Sequence, residues 1–276
     1  MAQVTAVAWP AQLDLAAALA REAARPAQWP GLGRIAPDSL TLIVVPDRAR
    51  LDSLVRGRAP SWGAALALPG ARTILLRADG GDLRQTLRHE LAHLVLHSRV
   101  RVRVPLWFDE GYASLAAGEW ERLGGLELNL AVARGAVPDF DRLDGALRGS
   151  AAAAAAGYAL AMSAVLELGR RNPEGRLDPL LMRLEAGEDF ESAVRATTGL
   201  PLARFEDDWR RAVRTRYTVV TWLAAGGVWV LAGLALVLLR WRKRRFDRIR
   251  RAALDEGWLL PEDPDEPPQL DRSPTG

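Results

Sequence analysis

Apolar and polar positions along this chain follow two different periods, and the switches between them mark its elements. Leu40–Pro46 (LTLIVVP) is a continuous apolar run rich in β-branched residues, which predicts a buried strand. Ala64–Leu68 and Thr73–Arg77 flank the turn signal Pro69-Gly70-Ala71-Arg72 and predict a hairpin. After the loop Asp79-Gly80-Gly81-Asp82 the period becomes helical. Leu83, Leu87, Leu91, Leu94 and Val95 share one side of a helix that Asp82 can cap and that runs to about Ser98. Asp82, Arg84, Arg88 and Glu90 make this helix amphipathic, so it belongs to a soluble domain and not to a bilayer. Further helices are predicted at Leu106–Ala117, Trp120–Arg134, Ala151–Arg171, Leu177–Glu185, Phe190–Thr197 and Leu202–Tyr217. Leu13–Ala24 reads as an alanine-rich amphipathic helix. The fold class is α+β, with no internal repeat.

A different pattern begins at Tyr217. From there to Leu239 the chain holds no charged residue, and 23 residues at 1.5 Å each can cross a hydrocarbon core of about 30 Å. Eight Lys/Arg crowd into 240–251, so the positive-inside rule places the tail in the cytoplasm and the preceding domain outside it. Residues 1–26 lack the basic start and clean apolar stretch of a signal peptide, which favours a start upstream of Met1 over the span itself directing export. The expected organisation is an N-terminal helical segment (1–37), a domain (38–216), a transmembrane helix (217–239), a basic juxtamembrane helix (240–260) and a disordered acidic, proline-rich tail (261–276). The sequence fits a single-pass protein of a bacterial inner membrane, with lipid contact through that one helix. Residues 1–216 carry 28 basic and 26 acidic groups, a balance that gives no reason to expect a nucleic-acid partner. With no cysteine, thiolate metal sites and cysteine nucleophiles are excluded.

All three histidines fall within nine residues: His89, His93 and His97. The first two frame His89-Glu90-Leu91-Ala92-His93, an H-E-x-x-H motif. Positions i and i+4 of a helix stack on one face, so two imidazoles can converge on one metal. Glu90 projects beside that metal, where a carboxylate can take a proton from activated water. A third protein ligand is needed. His97 is eight residues from His89, about 12 Å of helical rise, and no glycine turn brings it back; it reads as a helix-end histidine favoured by the dipole. Glu110 is the better candidate, 17 residues past His93, because the chain can turn through Arg99–Pro105 and return on a second helix.

"HELAHLVLH" followed by "PLWFDEGYASLAA" resembles the gluzincin metallopeptidases, specifically the peptidase MA-like domains with H-E-x-x-H and W-x-x-E-G helices. The resemblance extends over roughly residues 38–212, its helical remainder ending at Trp209. It implies a zincin-like domain, a small mixed sheet with an active-site helix and a helical C-terminal part. It further implies that His89, His93 and Glu110 hold Zn2+ and that Glu90 is the general base and acid. The hairpin 64–77 resembles the zincin edge strand, beside which an extended substrate lies. Tyr158 could supply an O–H to the oxyanion, as gluzincins often recruit a tyrosine beyond the third ligand; the other reading is a packed core tyrosine. Asp109 is expected as an exposed helix-start carboxylate, the alternative being an acceptor for the Nδ1–H of a ligand histidine. Trp107 and Tyr112 are expected to pack. The implied function is a membrane-anchored zinc metalloendopeptidase-type hydrolase acting on a peptide or protein. The competing expectations are a catalytically silent zincin-fold binding module and a structural membrane protein, the intact Glu90 weighing against the silent module.

Overall fold

The stretch before residue 38, expected as a helical segment outside the domain, begins with a strand of the domain's own sheet. In the computed structural model, which describes residues 3–55, 63–119, 137–222 and 228–255, β1 (Val4–Ala8) is followed by α1 (Leu13–Ala23). A small antiparallel ladder of β2 (Ala27–Trp29) and β3 (Gly33–Ile35) comes next, then β4 (Leu40–Val45) and α2 (Arg48–Val55). The expected hairpin is present as β5 (Ala65–Leu68) and β6 (Thr73–Arg77). β1 and β6 flank β4, both parallel to it, and β5 pairs antiparallel with β6. The strand order β1-β4-β6-β5 leaves β5 at an edge. Parallel pairing of β1 with β4 requires a crossover, which α1 and the small ladder supply. That pairing is a long-range property, invisible in five residues of local pattern.

The helices follow as α3 (Leu83–Arg99), α4 (Leu106–Ala117), α5 (Phe140–Leu147), α6 (Ala151–Arg171), α7 (Asp178–Glu185), α8 (Phe190–Thr198), α9 (Leu202–Trp222) and α10 (Val228–Asp255). The helix expected at Trp120–Arg134 and the tail 261–276 lie outside the described residues. Asp82 caps α3 as its sequence predicts, accepting from the N–H groups of Arg84 and Gln85. Pro105 precedes α4 and offers no side-chain cap; Asp144 of α5 accepts the Trp107 N–H instead, at 2.7 Å. Trp107 is 1% exposed and stacks on Phe140 at 4.1 Å, and Phe140 in turn stacks on Trp209. These aromatic rings fix α4 against α5 and α9.

α3 and α4 run antiparallel. Arg88, early in α3, donates to the Ala116 carbonyl at the end of α4, while His97, late in α3, meets Asp109 in the first turn of α4. The opposite side of α4 faces α6 at Gly111. A Cβ there would lie 2.5 Å from the Ala161 carbonyl oxygen and 2.9 Å from a Val165 methyl. Only a glycine lets the two backbones approach so closely. Tyr112 packs as expected, fully buried with its hydroxyl donating to the Pro30 carbonyl.

The chain divides into two units, residues 1–221 and 222–276. Among the described residues one helix, α6, is long and apolar enough to cross a membrane, but half of its apolar window is buried inside the first unit. Residues 223–227 of the expected span lie outside the described residues. In the second unit Trp229, Leu231, Leu236, Val237 and Leu239 are all exposed.

Two glycine substitutions should separate close approach from helix propensity. Gly111→Ala is expected to cost about 3 kcal/mol, since backbone cannot yield to the added methyl. Gly145→Ala, at an exposed and open position within α5, is expected to stabilise by about 0.5–1 kcal/mol. Thermal unfolding of the two variants beside the parent measures both signs.

Candidate active site

Helical spacing puts His89, His93 and His97 along one side of α3, each a turn beyond the last, and α4 crosses that side. Two consecutive carboxylates of α4 then meet the three rings. Glu110 Oε2 lies 3.4 Å from His89 Nε2 and 3.6 Å from His93 Nε2. Asp109 Oδ1 lies 2.8 Å from His93 Nδ1, and its Oδ2 lies 2.8 Å from His97 Nε2. Neighbouring residues on a helix point about 100° apart, so one carboxylate serves the inner side of His93 and the other its outer side. The exposed position expected for Asp109 is not what forms. Its side chain is 19% exposed, and it takes the alternative role of accepting from the outer nitrogen of His93. His97 lies in the last turn of α3, as expected, and Asp109 binds it there.

A residue that the sequence reading missed completes the pattern. Gly118 ends α4 in the left-handed conformation (φ 71°), and the chain turns back so that the Glu119 N–H reaches the Ser114 carbonyl. Glu119 Oε1 then lies 3.3 Å from His89 Nδ1, a charge contact and not an aligned hydrogen bond. The position just after such a glycine usually carries an apolar contact to the last helical turns. Here that slot holds a carboxylate only 6% exposed, and no period of the local sequence marks it.

Burial sets the electrostatics and the charges answer it. Burial disfavours protonation of His89, but the Glu110 and Glu119 carboxylates outweigh it and hold that imidazole up at about 9. His93 is also held well above its ordinary value: burial opposes, and Asp109 and Glu110 prevail. In return, although burial raises carboxyl groups, His93 and His89 hold Glu110 down at about 2. Asp109 is held far below the carboxylate range against its burial, first by the charge of His93. Glu90 goes the other way. Burial raises it, with only partial opposition from His89, His93 and the Ala67 backbone amide. Burial, then Glu110 and Glu90, push the Tyr158 phenol up as well.

The donor set fits a metal. His89, His93 and Glu110 each offer one ligand atom, all within 4.8 Å of one another. Two imidazole nitrogens and one carboxylate are a His2Glu set suited to zinc; Asp109 can fix the tautomer of His93 through its outer nitrogen, and the outer nitrogen of His89 faces Glu119. His93, His97 and Asp109 also group within 4.8 Å, but their 2.8 Å spacings are those of a hydrogen-bonded chain. The donors open into a cavity of about 490 Å³. One wall is the edge strand with its preceding residue, Ala64–Ala67; Tyr158 of α6 stands opposite, its ring 5.9 Å from that of His89.

A family model for the peptidase MA superfamily matches residues 48–215, which span every element just described around the cavity. The chain belongs to the peptidase MA superfamily. No curated protein matches it. Membership makes the first unit a zincin-like peptidase-type domain, a peptidase-like hydrolase acting on peptides or proteins. The match starts beyond β1 and α1, although β1 is hydrogen-bonded into the superfamily domain's sheet.

His89→Ala and Glu110→Ala are each expected to lose the metal from the purified chain, as read by elemental analysis. Glu119→Ala should retain one equivalent at roughly 10-fold weaker affinity. A Glu110→Ala protein with the parent's metal content would remove Glu110 from the ligand set.

Proposed function

We propose that this chain is a membrane-tethered zinc metallopeptidase, with His89, His93 and Glu110 as the ligands, Glu90 as general base and acid, and Tyr158 as the oxyanion donor. The observation that carries the proposal is the convergence of two Nε2 atoms and one carboxylate oxygen beside a protonatable Glu90, in a cavity walled by an open strand edge. Zinc at these ligands would supply a Lewis acid for the scissile carbonyl and lower the pKa of water there.

Glu90 then does the proton work. A carboxylate raised by burial holds a proton more readily than an exposed one, so it can take the proton of the attacking water and hand it to the departing amine. Tyr158 keeps its proton because burial and neighbouring carboxylates disfavour the phenolate. It is therefore a hydrogen-bond donor, as an oxyanion partner must be. β5 ends the strand order among the described residues, and its edge would offer backbone groups to an extended peptide, in the manner of strand addition. Such binding orients any peptide and leaves side-chain preference to the cavity walls.

The tether rests on the uncharged stretch 217–239, the exposed apolar side chains from Trp229 to Leu239 and the basic run that follows. The same run supports an inner-membrane placement with the catalytic domain extracytoplasmic.

Glu90→Gln is expected to keep the metal and to lower peptide hydrolysis by about 10²–10⁴-fold. Cleavage of a peptide library at the parent's rate by this variant would overturn the assignment. The full chain should remain with membranes through an alkaline carbonate wash, and a chain ending before Tyr217 should not.

A further inference from the structure

We infer that His97 is a positioning residue for the metal centre, acting on the ligand His93 through Asp109. The inference rests on His89, His93 and Glu110 being the ligands. His93 presents Nε2 toward Glu110, so its proton must sit on Nδ1 if Nε2 is to offer a lone pair. Asp109 Oδ1 accepts that proton at 2.8 Å. A carboxylate held by one oxygen alone is loosely oriented, because its terminal torsion is broad. His97 supplies the second hold, donating from Nε2 to Oδ2 at 2.8 Å. The carboxylate plane is thus fixed at both oxygens, and the His93 ring with it.

The placement is specific to this part of the fold. His93 and His97 are one turn apart on α3, and one side chain of α4 spans them. His97 is 29% exposed against 11% for His93, so it lies outward of the ligand, at the rim of the cavity. An unattached helix-end histidine would need no carboxylate so little exposed as Asp109. The shared carboxylate also ties the C-terminal turn of α3 to the N-terminal turn of α4, close to where both ligand-bearing stretches must stay in register.

The test compares His97→Ala, His97→Asn and His97→Gln in the full chain. A glutamine amide nitrogen reaches about where Nε2 lies, whereas an asparagine amide falls short at the place of Nδ1. Two readouts are taken on each: zinc affinity by competition with a chelator of known strength, and the visible ligand-field spectrum of the cobalt(II)-substituted protein. His97→Ala and His97→Asn should bind zinc roughly 10-fold more weakly and alter the cobalt spectrum. His97→Gln should return both toward the parent. Parent-like affinity and spectrum in His97→Ala would overturn the inference, as would a His97→Gln protein no better than His97→Asn. If the alanine variant does not fold, the two amides still decide. A parent chain that binds no zinc would instead overturn the ligand assignment, and the inference with it.

Discussion

The contact on which the site depends most is one that no side chain makes. At Gly111 the backbone of α4 comes so close to the Ala161 carbonyl of α6 that a methyl group has no room. That approach sets how deeply α4 lies between α3 and α6. Glu110 precedes the glycine and points away from the contact, toward the imidazoles; Tyr158 is on the same helix as Ala161, less than one turn before it. One backbone contact therefore sets the spacing between the proposed ligand Glu110 on one helix and the proposed oxyanion donor on another. The glycine of W-x-x-E-G is explained by packing, and the glutamate beside it by chemistry.

Around that contact the charged groups form a closed set. Each of the two motif histidines has one nitrogen toward Glu110 and the other toward an outer carboxylate, Glu119 for His89 and Asp109 for His93. Buried charges are costly unless paired, and here the pairing is reciprocal. The imidazoles are held up and Glu110 is held down, against burial in every case. Glu90 stands apart because His89, His93 and the Ala67 amide oppose its burial only in part. The same low-polarity surroundings thus hold one carboxylate anionic and leave another protonatable. That divergence between neighbours is what acid–base chemistry needs.

Much of this was legible in the sequence, and the limits of legibility follow a physical line. Elements with strong local period came through at their boundaries: Leu106–Ala117 and Ala151–Arg171 form as predicted, as do the hairpin and the Asp82 cap. β1 did not, because its five residues gain their stability from pairing with β4 some 36 positions away in register. α2 and α5 were missed as well, and length alone does not account for it, since α7 is equally short and was read from its pattern.

The site divides along the same line. His89, Glu90 and His93 could be grouped because a helix repeats every 3.6 residues, and Glu110 because a second helix had to return. Glu119 could not, since only the left-handed turn at Gly118 brings it round to His89. His97 shows a different limit. Its place in the last turn of α3 was legible, but the period of one helix says nothing of a partner on another. A residue two turns from His89 is within reach of a carboxylate on the crossing helix, as the 2.8 Å contact to Asp109 shows. In a helix pair that crosses over a motif, separation along one helix is recovered through the other. The position one turn beyond the motif therefore shares a carboxylate with His93, and on this chain it is filled by the third histidine.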